Sequence, residues 1–360
     1  MTIKEVAQMA GVSPAAVSRY FNGGSLGTDK QNRIRAVVEK TGFRPNPLAK
    51  TMRTGRSGQI GVIVPKIQSD SVTRILQGIS DVIREKNYIM ILGCTVHDEE
   101  QEVRLVEAMQ ENHVDGIILM GRTMNPALRK ALEECTVSVV VTGQKFDGVS
   151  CVYHDDFRAM EELTAGVLMT GKKHPAFIGV LDEDERAGRA RREGFESALR
   201  AAGLDPAASP RQIAEFTTED GERAAEELLA EHPETDAILC ASDFAAYGVL
   251  STVRAAGRKI PEEIGVAGCG DIWACSYTDP ALTSIRFFYE ECGKKAAEML
   301  MEHIEAGTAP DPERKDDGSG APAEEKAHDV QHVMLGYEIA WRNSHGIPEG
   351  PQGTKQYSTK

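Results

Sequence analysis

The side chains able to carry covalent or metal chemistry are scattered along this chain. Seven cysteines, Cys94, Cys135, Cys151, Cys240, Cys269, Cys275 and Cys292, stand apart in apolar or small-residue surroundings. With no C-x-x-C pair they read as reduced, mostly buried thiols, not as a disulfide framework or a zinc site. Nine histidines form no H-E-x-x-H or similar cluster, so no metal is expected. Neither G-x-S-x-G nor G-x-x-x-x-G-K-[ST] occurs, which leaves an enzyme without an activated serine or a phosphate loop. What remains is charge. The net value of -14 hides a division: residues 1–59 carry 10 Lys and Arg against 3 Asp and Glu, and the rest carries 31 against 52. A basic module attracts phosphate and an acidic body repels it, which confines nucleic-acid contact to the first segment.

The elements that must position those charges begin with short helices. Ile3, Val6, Ala7 and Ala10 lie at helical spacing before Gly11. Ser13 then Pro14 reads as an N-cap with proline at the first helical position, opening a helix to about Phe21 that Asn22-Gly23-Gly24 ends. Asp29 is the expected cap of a third helix over 30–41, with Ile34, Val37 and Val38 on one face. Pro45 and Pro47 interrupt the chain. Leu48 to Thr54 then allows one or two helical turns before the linker Gly55-Arg56-Ser57-Gly58.

From Ile60 the pattern changes. Apolar runs IGVIV (60–64), YIMIL (88–92), GIILM (116–120), VSVVV (137–141), AFIGV (176–180), AILCA (237–241) and GVAGC (265–269) alternate with longer amphipathic stretches. Runs apolar at every position suit strands covered on both faces, so the body is expected to be doubly wound α/β with parallel sheets. The strands exceed one comfortable sheet, and an excursion near residues 150–160 divides them into two lobes. No run approaches the roughly 18 apolar residues of a membrane span, and the N-terminus has no signal-peptide pattern, so a cytoplasmic protein is expected.

The segment TIKEVAQMAGVSPAAVSRYFNG, followed by TGFRPNPLAKTM, resembles the helix-turn-helix and hinge entry of the lactose/galactose repressor (LacI/GalR) family. The resemblance extends over nearly the whole chain. It implies an all-α helix-turn-helix head and a periplasmic-binding-protein-like body of two doubly wound parallel-sheet lobes. The second helix would lie in the major groove, with Ser13, Pro14, Ala15, Ala16, Ser18, Arg19 and Asn22 toward DNA and Val12, Val17 and Phe21 toward the head's core. Arg19 is the expected base reader, because its planar fork matches guanine O6 and N7, and a purely phosphate contact is the alternative. Ala16 replaces a common threonine; with Pro14 and Ala15 it offers methyl contact but no hydrogen bond. In the hinge, Met52 stands where the family's leucine wedge enters the minor groove, unless it packs on the body. Ala49 lies beside it, and Asn46, Lys50 and Arg53 are expected at phosphates.

The family holds an effector in the crevice between lobes, at the carboxyl ends of strands. Carried over by position, the candidates after the first strand are Lys66, Gln68, Ser71 and Arg74. Arg191, three residues before Gly194-Phe195, is the strongest candidate, since a guanidinium binds hydroxyl, carboxylate or phosphate oxygens in pairs; a helix-surface salt bridge is its alternative. Ser242 and Asp243 fall at a strand end, where Asp243 also suits a helix cap. Asp271 matches an acidic position, with Gly270 in place of the commoner aspartate before it. Asp155 is either ligand contact or hinge cap, and Tyr289 either stacks on the ligand or belongs to the core.

The expected divisions are a head at 1–46, a hinge helix and linker at 47–59, and a first lobe at 60–158 plus about 288–308. A second lobe follows at 159–287 plus about 330–345, with a solvated loop at 309–329 and a disordered tail at 346–360. The function expected is a transcriptional repressor of a carbohydrate-utilisation operon. It would bind operator DNA as a homodimer, with no cofactor beyond a sugar or sugar-phosphate effector. CVYHDD and LCASD are similar to segments of sucrose and trehalose operon repressors in that family. A protein corepressor, used by some members, finds no support in the residues. A periplasmic solute-binding protein would share the body but not the basic head or the missing leader.

Overall fold

Helix α1 (Ile3–Ala10) starts where Thr2 and Glu5 exchange hydrogen bonds: the Thr2 N–H donates to Glu5 Oε2 (2.7 Å) and the Glu5 N–H to Thr2 Oγ1 (3.3 Å). This reciprocal cap satisfies two backbone donors. Gly11, at φ 62°, closes the helix in the left-handed conformation that glycine adopts without steric cost. Helix α2 (Pro14–Phe21) follows the Ser13 hydroxyl, which accepts from the Ala16 N–H (3.3 Å). Helix α3 (Thr28–Thr41) begins two residues earlier than Asp29 as a cap predicts, with Gly27 as its N-cap. Asp29 lies inside the first turn and pairs with Arg33 (3.3 Å). The three helices bury Val6, Ala10, Ala16, Val17, Ile34 and Phe43 against one another.

The computed structural model describes residues 1–21, 23–44, 55–182, 184–307 and 330–346. Asn22, the hinge helix with Asn46, Ala49, Lys50, Met52 and Arg53, the 309–329 loop and the tail beyond Gly346 lie outside the described residues.

Two six-stranded sheets build the body. The first contains β1 (Gln59–Val64), β2 (Ile89–Cys94), β3 (Gly116–Leu119), β4 (Ser138–Thr142) and β5 (Ser150–His154). The second contains β6 (Pro175–Gly179), β7 (Arg211–Ile213), β8 (Ala237–Cys240), β9 (Gly265–Cys269) and β10 (Thr283–Phe287). Strands β11 (His332–Leu335) and β12 (Tyr337–Ala340) then divide between them. The first sheet is parallel throughout, in the order β11-β5-β4-β3-β1-β2; the second runs β12-β10-β9-β8-β6-β7, with only β12 antiparallel. Strands β3, β6, β8 and β9 are buried at every residue, which is why they read as unbroken apolar runs.

One boundary is corrected. Residues 330–345 are expected in the second lobe, yet β11 pairs with β5 of the first sheet and only β12 joins the second. The chain therefore crosses between sheets three times, after His154, after Phe287 and after Leu335. The first crossing leads directly into α7 (Asp156–Leu168), which packs on strands β10 and β12 of the second sheet, so the lobes part before residue 158.

The first lobe carries α4 (Asp70–Glu85), α5 (Glu99–Glu111), α6 (Pro126–Glu133) and the long α11 (Tyr289–Gly307). The second carries α7, α8 (Arg191–Ala201), α9 (Thr218–Glu231) and α10 (Asp243–Ala255). Helices α4 and α11 cross with backbones in contact: a Cβ on Gly78 would stand 2.0 Å from the Glu290 carbonyl oxygen, and one on Gly293 2.0 Å from that of Ile75. At their far ends Lys86 pairs with Glu305 (3.0 Å).

The linker from the head is clipped at that end. Asp115 accepts from the Ser57 N–H (2.7 Å), the Ser57 hydroxyl (3.0 Å) and the Gly58 N–H (2.8 Å). Arg56 donates to the Ile304 carbonyl in the last turn of α11 (3.2 Å).

Candidate functional site

On the head, Ser13, Pro14, Ala15 and Arg19 are exposed and Ser18 is half-buried. Ala16 is corrected: at 4% exposure it belongs to the core, because it shares with Val17, Tyr20 and Phe21 the face turned toward α1 and α3. The readable face of α2 is narrower than the sequence suggests. Its exposed long donor is Arg19.

In the body, a cavity of about 870 Å³ lies between the lobes. Its walls are the carboxyl ends of strands and the loops and first helical turns that follow them, β1 to β4 on one side and β6 to β9 on the other, with Tyr289 after β10. That is where parallel sheets bind ligands, since strand ends bring loops of both lobes together. Lys66, Gln68, Ser71, Arg191, Ser242, Asp243 and Tyr289 all line it.

Three expected residues stand elsewhere. Arg74 pairs with Asp70 (2.8 Å) and donates to the Asp271 carbonyl (2.9 Å), so it ties one lobe to the other. Asp271, at φ 44°, turns its carboxylate to Arg286 (2.6 Å) and Arg342 (2.7 Å), while its neighbours Gly270 and Ile272 face the cavity. Asp155 caps α7, accepting from the Arg158 N–H (3.0 Å). The next residue, Asp156, is the buried one at 2% exposure.

Arg191 lines the cavity with its donors already engaged. Its Nε (2.8 Å) and Nη2 (2.7 Å) reach Asp156 Oδ1, and its Nη1 donates to the Ala241 carbonyl. Asp243 is likewise occupied, accepting from the Ser284 hydroxyl (2.5 Å) and the Ile272 N–H (2.9 Å). Burial pushes its carboxyl up to about 6 against those bonds. It braces the 268–272 loop: a Cβ on Gly268 would fall 2.3 Å from its Oδ1. Burial also raises the Tyr289 hydroxyl, to about 12.

Sequence reasoning missed Asp184, Arg186, His97 and Arg122. Asp184 caps the π-helical turn Glu185–Ala190, accepting from the Ala187 N–H (2.8 Å), and takes the Gln144 amide from the first lobe (3.2 Å). Arg122 lies 3.6 Å from Asp184 and 2.9 Å from His97 Nδ1. Burial, then Arg122 and Lys66, hold His97 below its ordinary value, so a neutral ring accepts that bond. A run such as DEDERAGRARR, with an acid one turn ahead of several arginines, is the one available signal.

Beside His97 and Arg122, a smaller cavity of about 110 Å³ holds Glu102. Burial first, then Glu99, pushes its carboxyl up to about 7. The unfolded chain releases this proton near the ordinary 4.5, so between 4.5 and 7 the folded protein keeps a proton the unfolded one has lost. Stability contributed by this group therefore falls as pH rises through that window. Glu102→Gln imitates the protonated acid and is expected to stabilise by about 2 kcal/mol at pH 8 and hardly at pH 5. Urea unfolding at both pH values checks this, and an equal change at the two would contradict it.

A three-helix head on a two-lobed parallel-sheet body is the architecture of a DNA-binding transcription regulator. Residues 2–46 match the bacterial regulatory proteins, lacI family, and residues 57–321 the periplasmic binding proteins and sugar binding domain of LacI family. The chain belongs to the LacI family of transcriptional regulators. It is 26% identical over 303 residues to the sucrose operon repressor of Staphylococcus xylosus, covering 84% of this chain and 93% of that protein. It is 28% identical over 326 residues to the transcriptional repressor CytR of Escherichia coli K12, covering 84% and 90%. The lac repressor dimer bound to operator and the anti-inducer ONPF shares the fold, with a TM-score of 0.81 at 17% identity, covering 96% and 99%. A CelR–cellobiose complex does so at 0.68 and 24%, with the same coverage. These relatives are DNA-binding regulators, not enzymes. Among the described residues no helix is long and apolar enough to cross a membrane.

Proposed function

We infer that the chain represses a carbohydrate-utilisation operon, binding a near-palindromic operator as a homodimer and altering its affinity when a sugar-like ligand occupies the interlobe cavity. The observation that carries this reading is the cavity itself, walled by strand ends of both lobes. A ligand touching both walls favours one lobe arrangement over another, which is the differential affinity a switch requires. Helices α4 and α11 both begin at the cavity, and α11, about 28 Å long, ends where Arg56 and Asp115 hold the linker. The names of the relatives, a sucrose operon repressor and a cellobiose-bound regulator, support the sugar class.

Anisotropy titration of DNA flanking the gene, with and without neutral sugars and their phosphate esters, tests it. A ligand that binds is expected to shift operator affinity by about 5- to 150-fold. A ligand that occupies the cavity and leaves affinity unchanged would remove the switch. In the same assay Arg19→Ala is expected to lose about 1–3 kcal/mol of preference for operator over random DNA. Equal loss on both would make Arg19 a phosphate contact only.

A further inference from the structure

The cations around the cavity differ in how far the protein itself satisfies them. Arg191 has its donors on Asp156 and Ala241, and Arg122 has His97 and Asp184. Arg186 does not. Its Nε is buried without a hydrogen-bond partner, and the nearest carboxylate oxygen, Asp156 Oδ2, is 3.9 Å away on a group already engaged by Arg191. Asp156 Oδ2 is itself without a hydrogen bond, so the two arginines share one countercharge. From the opposite lobe, Lys66 holds its ammonium over the Phe216 ring, 5.1 Å from its centroid, and forms no ion pair among the described residues. Burial, then Arg122, lowers its proton affinity, and Glu215 opposes these less strongly.

The carboxylates of the cavity do not neutralise this pair. Asp70 is taken by Arg74; Asp184 by Arg122, the Gln144 amide and a backbone N–H; Asp243 by Ser284 and Ile272. Glu219 is exposed to solvent. Each lobe thus presents one cation whose countercharge is missing or shared. Arg186 is partly exposed, and its buried Nε–H is costly to leave without an acceptor; an oxyanion supplies both that acceptor and the countercharge.

We propose that the ligand of this cavity is a sugar-sized molecule bearing an oxyanion, a phosphate ester or a carboxylate, which Arg186 receives and to which Lys66 supplies a second positive charge from the other lobe. Because the two cations sit on different lobes, the anion favours their approach, whereas a neutral sugar can accept from Arg186 Nε but brings no countercharge. Arg186 lies five residues before Arg191 on the same stretch of chain. The proposal rests on the reading of the cavity as the effector site.

The test is equilibrium dialysis of the full chain against an equimolar mixture, read by mass spectrometry. The mixture contains glucose, sucrose, trehalose and cellobiose, their phosphate monoesters, and the matching uronic acids. A phosphorylated or carboxylated compound is expected to be retained most strongly. Arg186→Gln is expected to weaken its binding about 10- to 100-fold. Lys66→Gln, at a half-exposed position where folding is not at stake, weakens it in the same direction. Preferential retention of a neutral sugar overturns the proposal, as does an anionic ligand bound equally well by both variants. Retention of none of the compounds at millimolar concentration would instead remove the effector reading of the cavity, and the proposal with it. Phosphate and carboxylate sources are told apart by which class is retained.

Discussion

Asp156→Ala is expected to cost the body about 3–5 kcal/mol of stability, the largest single effect foreseen for a side chain of this protein. Asp156 and Arg191 are 2% and 3% exposed, and the carboxylate holds Arg191 through two nitrogens with Arg186 beyond. Removing it leaves the buried Arg191 and the partly exposed Arg186 with no countercharge. At Arg191, so little exposed, water compensates poorly for the lost carboxylate. The neighbouring Asp155→Ala removes only an N-cap bond and is expected to cost about 1 kcal/mol. Urea unfolding of the two variants separates the roles. Equal losses would mean that the buried pair carries no more than a surface cap does.

The second large effect concerns the crossing of α4 and α11. Gly293→Val is expected to destabilise by about 3 kcal/mol, because its Cβ would meet the Ile75 carbonyl oxygen at 2.0 Å and backbone cannot swing aside like a flexible side chain. Relief requires the helices to separate, which also disturbs the path between cavity and linker. Gly257→Ala is a useful contrast: nothing lies within 4 Å there, and only the positive φ of 72° is at stake. Thermal unfolding and ligand dissociation measured on Gly293→Val are expected to change together. A variant with wild-type stability would show that the two helices are not locked at this point.

Much of this architecture was legible from residues alone, where local and global signals agree. Gly11 and Ser13-Pro14 mark helix limits that the head adopts, and the buried central strands announce themselves as continuous apolar runs. The strands that escaped notice are those whose residues do not form such runs. β5 (SCVYH) and β10 (TSIRF) mix polar with apolar residues, while β7, β11 and β12 are short and only partly covered. Their edge or near-edge positions are set by partners far away in sequence. The return of β11 to the first sheet could not be read from HVML, which would fit either edge.

The site was legible as a set of loops, less so as a set of contacts. Lys66 and Gln68 reach the cavity on the loop after β1, and Ser71 and Tyr289 from the first turns of α4 and α11, because strand ends fix where those segments begin. Which acid is buried at the crossover, Asp155 or Asp156, depends on the direction in which α7 leaves the strand, and adjacent residues on a helix point about 100° apart. Asp271 was drawn away by Arg286 and Arg342, two residues invisible to any local motif. Arg186 escaped for the converse reason: in DERAGRARR it is one arginine among several, and only the neighbours of each reveal which has donors to spare.

Sequence-specific reading of DNA by the head is tested by selecting from a random pool of duplex DNA with the whole chain and measuring the affinity of the winner against random duplex at the same salt. Enrichment of a near-palindrome with two half-sites, bound at least about 1,000-fold more tightly than random sequence, is the expected result. A pool that yields no common sequence, or a winner bound no better than random DNA, would contradict it.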